Sequence, residues 1–191
     1  MSPRRSARNQ LVRSAEEVFY NRGFAATGVD TVAQEAGVSK PTLYAHFSGK
    51  SDLAATALRH RHDEAAAELE EWLAGVEDPA ARPAAVFSWL AHRYESKGGR
   101  GCAFLNAAAE VVDPEDPVRQ AVLREKRWLR ELLTTLCVQA GTPAPERIAS
   151  QLLLLVDGVA GRVVVEGPQA AARAVADAAD AAAVLLGSGT R

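Results

Sequence analysis

Residues 23–50 read GFAATGVDTVAQEAGVSKPTLYAHFSGK, and this stretch decides the fold. Thr27 is a good N-cap for a short helix over 28–36, with Val29, Val32 and Ala33 on its inner face. Gly37 follows, where a left-handed residue ends a helix at little cost. Ser39 caps a second short helix over 40–47, and Pro41 sits in its first turn, where a missing N–H does no harm. Leu43 and Phe47, one turn apart, point inward. Ser48 caps a longer helix over 49–74, with Asp52 favouring its N-terminal dipole. Upstream, Leu11, Ala15, Val18 and Phe19 mark one face of a helix over 6–22, ended by Gly23. Short helices joined by a tight glycine turn form a helix-turn-helix.

The same periodicity continues outward. Helices are expected over 82–96, 102–112, 117–140, 145–166 and 169–186, broken by Lys97–Gly101, Asp113-Pro114, Gly141-Thr142-Pro143 and Gly167-Pro168. The helix over 145–166 is apolar nearly all round, which predicts burial on more than one side. The chain has 191 residues, 38 of them Ala, and no strand-period pattern. The fold class is therefore all-α, with about nine helices in two domains: a three-helix helix-turn-helix domain over 1–50, then a helical domain over 51–191. The polar ends, 1–5 and 187–191, read as mobile tails.

Charge is divided unevenly. Residues 1–50 carry a net +3 and the remainder −5, within a total of −2. A basic N-terminal quarter on an acidic body points to an anionic partner at one end. Lys40, Thr42, Tyr44, Ala45 and His46 form the outer face of the helix over 40–47, the kind of surface that enters a major groove. Lys50, at the next helix N-terminus, makes a natural phosphate clamp. Arg4, Arg5 and Arg8 read equally as extra DNA contacts or as a solvated tail.

Over roughly 8–55 the chain resembles the N-terminal DNA-binding domain of the TetR/AcrR family of transcriptional regulators, and its length fits that family. The resemblance implies base contacts from Thr42 and Ala45 and phosphate contacts from Thr27, Tyr44, His46 and Lys50. Lys40 and Pro41 complete the DNA-binding set. The family often has Gly where this chain has Pro41, so any backbone N–H contact to phosphate there is lost.

Specific reading with one helix-turn-helix calls for two half-sites and hence a homodimer. Gly158, Gly161, Ala172, Ala176, Ala179 and Ala183, on the last two helices, allow close helix approach. The resemblance implies the same faces. The middle helices would enclose a small, largely apolar effector, with Phe87, Leu90, Tyr94, Phe104, Leu105, Asn106, Trp128, Leu132, Leu154 and Asp157 as candidate lining. Asp157 reads as paired to Arg162 or to backbone, or as meeting a polar ligand group; Asn106 and Glu110 share a face. The segment 100–110 looks like that of a subgroup of drug-responsive repressors in the family.

Other classes drop out. No GxSxG, phosphate-binding glycine loop or HExxH is present, so no enzyme is expected. No metal or other cofactor is implied. His60, His62, Asp63 and Glu64 read as a solvated helix face, and Cys102 and Cys137 form no framework, Cys102 reading as a small buried residue or, less readily, as a redox sensor. The N-terminus lacks the apolar core of a signal peptide, and the most apolar run, Leu152–Val156, is stopped by Asp157. The expectation is a cytoplasmic, ligand-responsive repressor released from a palindromic double-stranded DNA operator, with no membrane partner. The alternative is a protein-interaction module whose helix-turn-helix no longer reads DNA.

Overall fold

A computed structural model describes residues 3–97 and 99–187, with the side chains of 3–5 outside the description. Arg4 and Arg5 as DNA contacts, and the tail beyond 187, therefore lie outside the described residues. Among the described residues there are nine α-helices and no strand. They are α1 (Pro3–Arg22), α2 (Val29–Glu35), α3 (Lys40–Tyr44), α4 (Lys50–Ala74), α5 (Arg82–Lys97), α6 (Ala103–Glu110), α7 (Pro117–Gln139), α8 (Pro145–Glu166) and α9 (Ala171–Gly187). Single 3₁₀ turns, Pro79–Ala81 and Pro168–Ala170, precede α5 and α9.

The first compact unit takes the chain up to Ala65 together with Ala103–Glu125. Its core packs Leu11, Val12, Ala15 and Val18 of α1 against Val32 and Ala33 of α2, Leu43, Phe47, and Leu53 and Ala57 of α4. Gly23 and Gly37 stand at φ +88° and +66°, one closing α1 and the other turning the chain from α2 towards α3. Two expectations change here. The first helix already includes Pro3, the first described residue, and proline fits a first helical turn without losing a bond. Thr27 is not the cap of α2: Gly28 takes the extended N-cap position, at φ −86° and ψ 158°, and no side chain caps it.

The second unit takes Ala66–Cys102 with the chain from Lys126 onward. Leu69, Leu73, Val86, Phe87, Leu90, Leu129, Leu133, Leu136, Cys137, Ile148, Leu152, Val159, Val175 and a line of alanines on α9 (Ala174, Ala178, Ala182) fill its core. Gly101, at φ +73°, lies so close to α8 that a Cβ there would meet the Ala160 carbonyl oxygen at 2.6 Å. Only glycine allows that approach.

The helix α8 departs from expectation twice. By length and composition it is apolar enough to cross a membrane, with a mean hydropathy of 1.7 over its best window. Yet Ile148, Ala149, Leu152, Val159, Ala160 and Val163 are buried, and Asp157 and Arg162 are both ion-paired, the pattern of a packed helix. Its other side is not buried: Leu154 is 69% exposed and Val165 84%.

Candidate nucleic-acid interface

The short helix α3 is built from its ends inward. Ser39 Oγ accepts the Thr42 N–H at 3.3 Å, and the Ser39 and Thr42 hydroxyls share a hydrogen bond at 2.8 Å. Leu43 is fully buried and Phe47 nearly so, which pins the helix by one face. The opposite face is left to solvent: Lys40, Pro41, Tyr44 and Ala45 are exposed, and Thr42 and His46 are half-buried. Tyr44 is 52% exposed, high for an aromatic ring of no structural use there. The His46 ring leans against Phe47, with centroids 6.4 Å apart.

The basic groups around this face are already engaged. Lys40 Nζ meets Asp30 at 2.8 Å, and the hydrogen bond and charge of Asp30 raise its pKa. Arg22 pairs with Glu35 at 2.7 Å, tying α1 to α2. Arg8 lies over the Phe47 ring at 5.3 Å rather than in a free tail. Lys50 Nζ lies 4.3 Å above the Phe24 ring and donates to the Ala25 carbonyl at 3.4 Å. The start of α4 is closed by Asp52, which accepts from both the N–H and the hydroxyl of Ser48. These pairs are exposed and cheap to exchange, so a phosphate can replace each acidic or carbonyl partner.

Thr27 is placed differently from the rest of its set. It is 2% exposed, and its hydroxyl has no hydrogen-bond partner among the described residues. The sequence had no signal for Asp30 as the partner of Lys40, nor for Glu110, which accepts the Ala25 N–H at 2.5 Å across 85 residues.

The candidate effector residues are divided between the two units. Phe87 and Leu90 are core residues of the second, and Tyr94, Trp128 and Leu132 are half-buried against that core. Phe104, Leu105 and Asn106 belong to the first. Leu154 does not line an interior, since it shares the exposed face of α8 with Gly158 and Gly161. Asp157 pairs with Lys126 at 2.5 Å, not with Arg162, because Arg162 is taken by Glu166 and Asp177 at 2.7 Å each. An open groove of about 570 Å³ lies between α7 and α8, lined by Arg130, Glu131, Thr134, Thr135, Glu146 and Ser150. Cys102 is half-buried.

On α4, Glu64 is solvated as expected, but His60 turns to Glu16, with Nδ1 and Oε1 2.5 Å apart. Burial raises the pKa of Glu16, and His60 opposes that rise. Two atoms ligating one divalent cation at about 2.0–2.2 Å stand about 3 Å apart, so this approach is a direct contact between the two side chains. His62 pairs with Glu125 in the same way.

On the last helices, Gly158, Gly161, Ala172, Ala176 and Ala183 are exposed and Ala179 is half-buried. A Cβ built on Gly158 or Gly161 meets nothing within 4 Å.

The model of bacterial regulatory proteins of the tetR family matches residues 11–57, the segment just described. A crystal structure of SCO4454, a TetR-family transcriptional regulator from Streptomyces coelicolor, superposes with a TM-score of 0.87 and is 30% identical, covering 97% of this chain and 91% of that one. The chain belongs to the TetR family. It is accordingly a DNA-binding transcriptional regulator and not an enzyme. Two HTH-type relatives differ in reach. The transcriptional activator FasR of Mycolicibacterium smegmatis is 49% identical over 61 residues, 32% of this chain and 28% of that protein. The probable regulator ArpR of Pseudomonas putida is 29% identical over 167 residues, 81% of this chain and 79% of that protein.

Proposed function

We propose that the chain is a repressor that binds a palindromic operator as a homodimer and is released when a small, largely apolar molecule enters the C-terminal domain. The observation that carries the DNA reading is α3 itself. One face is anchored by Leu43 and Phe47, while Lys40, Thr42, Tyr44, Ala45 and His46 are turned outward. Thr42 and Ala45 are the base-facing residues, and Lys40, Tyr44, His46 and Lys50 hold phosphates. Residues 1–50 form the DNA-binding domain and 51–191 the effector and dimer domain. A regulator of this kind works in the cytoplasm, beside the chromosome.

The homodimer is supported by the exposed face of α8 and α9. Leu154, Gly158, Gly161 and Val165 follow one another at helical spacing, and Ala172, Ala176 and Ala183 do the same on the next helix. Small residues without neighbours, beside exposed leucine and valine, fit a second copy of the same face. The effector site draws on Phe87, Leu90, Tyr94, Trp128 and Leu132, apolar with a few polar tips. The effector displaces the operator only by as much as it prefers the released conformation.

The FasR match favours a second reading, activation, with the same DNA-binding chemistry. The test is fluorescence anisotropy of the full chain on the duplex beside its own gene, at several salt concentrations, with a Lys50→Ala/Tyr44→Ala variant alongside. Selective binding, weakened by salt and by the variant, is expected. Binding no tighter than to random DNA of the same length would favour the interaction module instead. Transcription from that promoter, with and without the protein, separates repression from activation.

A further inference from the structure

We propose that Glu110, the last residue of α6, is a positioning residue for DNA binding: its carboxylate holds the loop between α1 and α2 in the shape that aims α2 and α3. The proposal rests on the DNA-binding reading above.

The loop 23–28 is seated by Phe24 against Phe19 and by the buried Thr27, but the stretch between them has little backbone bonding of its own. Ala25 and Ala26 are exposed, and within the loop the Thr27 N–H reaches back to the Phe24 carbonyl at 3.3 Å. Side chains do the rest. Glu110 Oε2 accepts the Ala25 N–H at 2.5 Å, and Lys50 donates to the Ala25 carbonyl at 3.4 Å. Both polar groups of one residue are thus gripped, one from α6 and one from α4. Gly23 accommodates the first grip. It stands at φ +88°, and a Cβ there would lie 3.2 Å and 3.4 Å from the two Glu110 oxygens. Glycine serves the loop twice, by its conformation and by leaving room for the carboxylate.

Glu110 is itself anchored from below. The Val111 N–H bonds the Ala107 carbonyl at 3.0 Å, Arg119 donates to the Ala108 carbonyl at 2.9 Å, and Asp116 accepts from Ser51 of α4 at 2.7 Å. The carboxylate sits at the end of a tied segment, not on a free tip. A charge-assisted bond to backbone N–H is among the stronger polar contacts a loop can have.

The charge makes the test decisive. A carboxylate that merely stood near DNA would repel phosphate, and removing it would tighten binding. A positioning carboxylate predicts the reverse. Wild-type protein first selects a duplex from a randomised library. Anisotropy on that duplex then compares wild type with Glu110→Ala and Glu110→Gln, and amide hydrogen exchange of residues 24–28 is followed without DNA. Glu110→Ala is expected to bind about tenfold more weakly, the equivalent of one charge-assisted hydrogen bond, with an unchanged salt slope because no phosphate contact is removed. Its loop amides exchange faster. Glu110→Gln keeps an acceptor of the same shape but loses its charge, so it recovers only part of both, and where the alanine variant fails to fold it carries the test: binding equal to or tighter than wild type by Glu110→Gln also overturns the proposal. Adding Lys50→Ala to Glu110→Ala gives less than the sum of the two losses, since both grip one residue. Unchanged or tighter binding by Glu110→Ala overturns the proposal, whatever the exchange shows. A wild type that selects no sequence overturns the DNA reading, and hydrogen exchange still reports separately whether Glu110 holds the loop.

Discussion

In the first unit polar side chains hold loop backbone as well as one another, whereas the long helices of the second are joined to one another by ion pairs. Ser39, Asp52 and Glu110 each accept a main-chain N–H, and Lys50 donates to a main-chain carbonyl. In the second unit Lys126 and Asp157 join α7 to α8, Arg162 and Asp177 join α8 to α9, and Glu68 takes both Arg93 and Lys97 from α5. Element length accounts for the difference. The helices α2 and α3 have 7 and 5 residues, too short to persist without caps and pinned loops. The helices α7 and α8 have 23 and 22 residues and bury long apolar faces, so their charges serve to set which helix meets which. Precision in the reading end comes from loops, and cohesion in the body comes from the core.

Core truncation gives the largest contrast. Phe87→Ala, at a site with no exposure, should cost about 3–5 kcal/mol in urea denaturation. A loss near that of a surface substitution would mean that the second unit is not held by its core. The glycines come next. Gly101→Ala should cost about 2–4 kcal/mol, combining left-handed strain with collision against the Ala160 carbonyl. Gly37→Ala carries the strain alone, about 1 kcal/mol, since nothing stands within 4 Å of its missing Cβ. Equal losses at the two sites would remove the close approach as a cause. Ser39→Ala should cost about 1 kcal/mol through the lost cap, with its hydrogen-exchange effect confined to the short helices.

The smallest effect is in pH, and its sign differs between the units. Burial alone would raise the pKa of Glu68, but the Lys97 hydrogen bond and the charges of Arg93 and Lys97 outweigh it and hold the carboxyl below its ordinary 4.5. Its contribution is present above the unfolded value and fades as pH falls through the folded one. Glu16 runs the other way. Burial raises it despite His60, so its contribution is present at low pH and fades as pH rises through the folded value. Hydrogen exchange in each unit across pH 3–7 should therefore show Glu68→Gln destabilising most at the upper end, and Glu16→Gln least favourable at the lower end. Slopes of one sign in both units would refute the assignment.

Local signals made the fold readable. The glycines at 23 and 37, the serine cap at 39 and the prolines around 145 and 168 placed helix ends within a few residues, and α8 spans the expected 145–166. What escaped was long-range or depended on the neighbour. Thr27 and Gly28 both make acceptable caps, and only the folded backbone chooses Gly28. Nothing in the spacing of Asp157 favours Lys126, 31 residues away, over Arg162 in the next turn. Apolarity told that α8 has a face to bury but not that Leu154 lies on the side left open within one chain. The same limit hid Glu110, whose partner is a main-chain group with no identity in the sequence.

The reading helix α3 is 5 residues long, about one and a half turns. A probe of that length spells a very short word. A genome offers about 10⁶–10⁹ alternative addresses, so a word of a few letters recurs everywhere and directs nothing. Two copies reading together do not add to the rarity of the address; they multiply it. A protein with so brief an alphabet at one end would have its accuracy set by the stiffness of whatever fixes the distance between the two words.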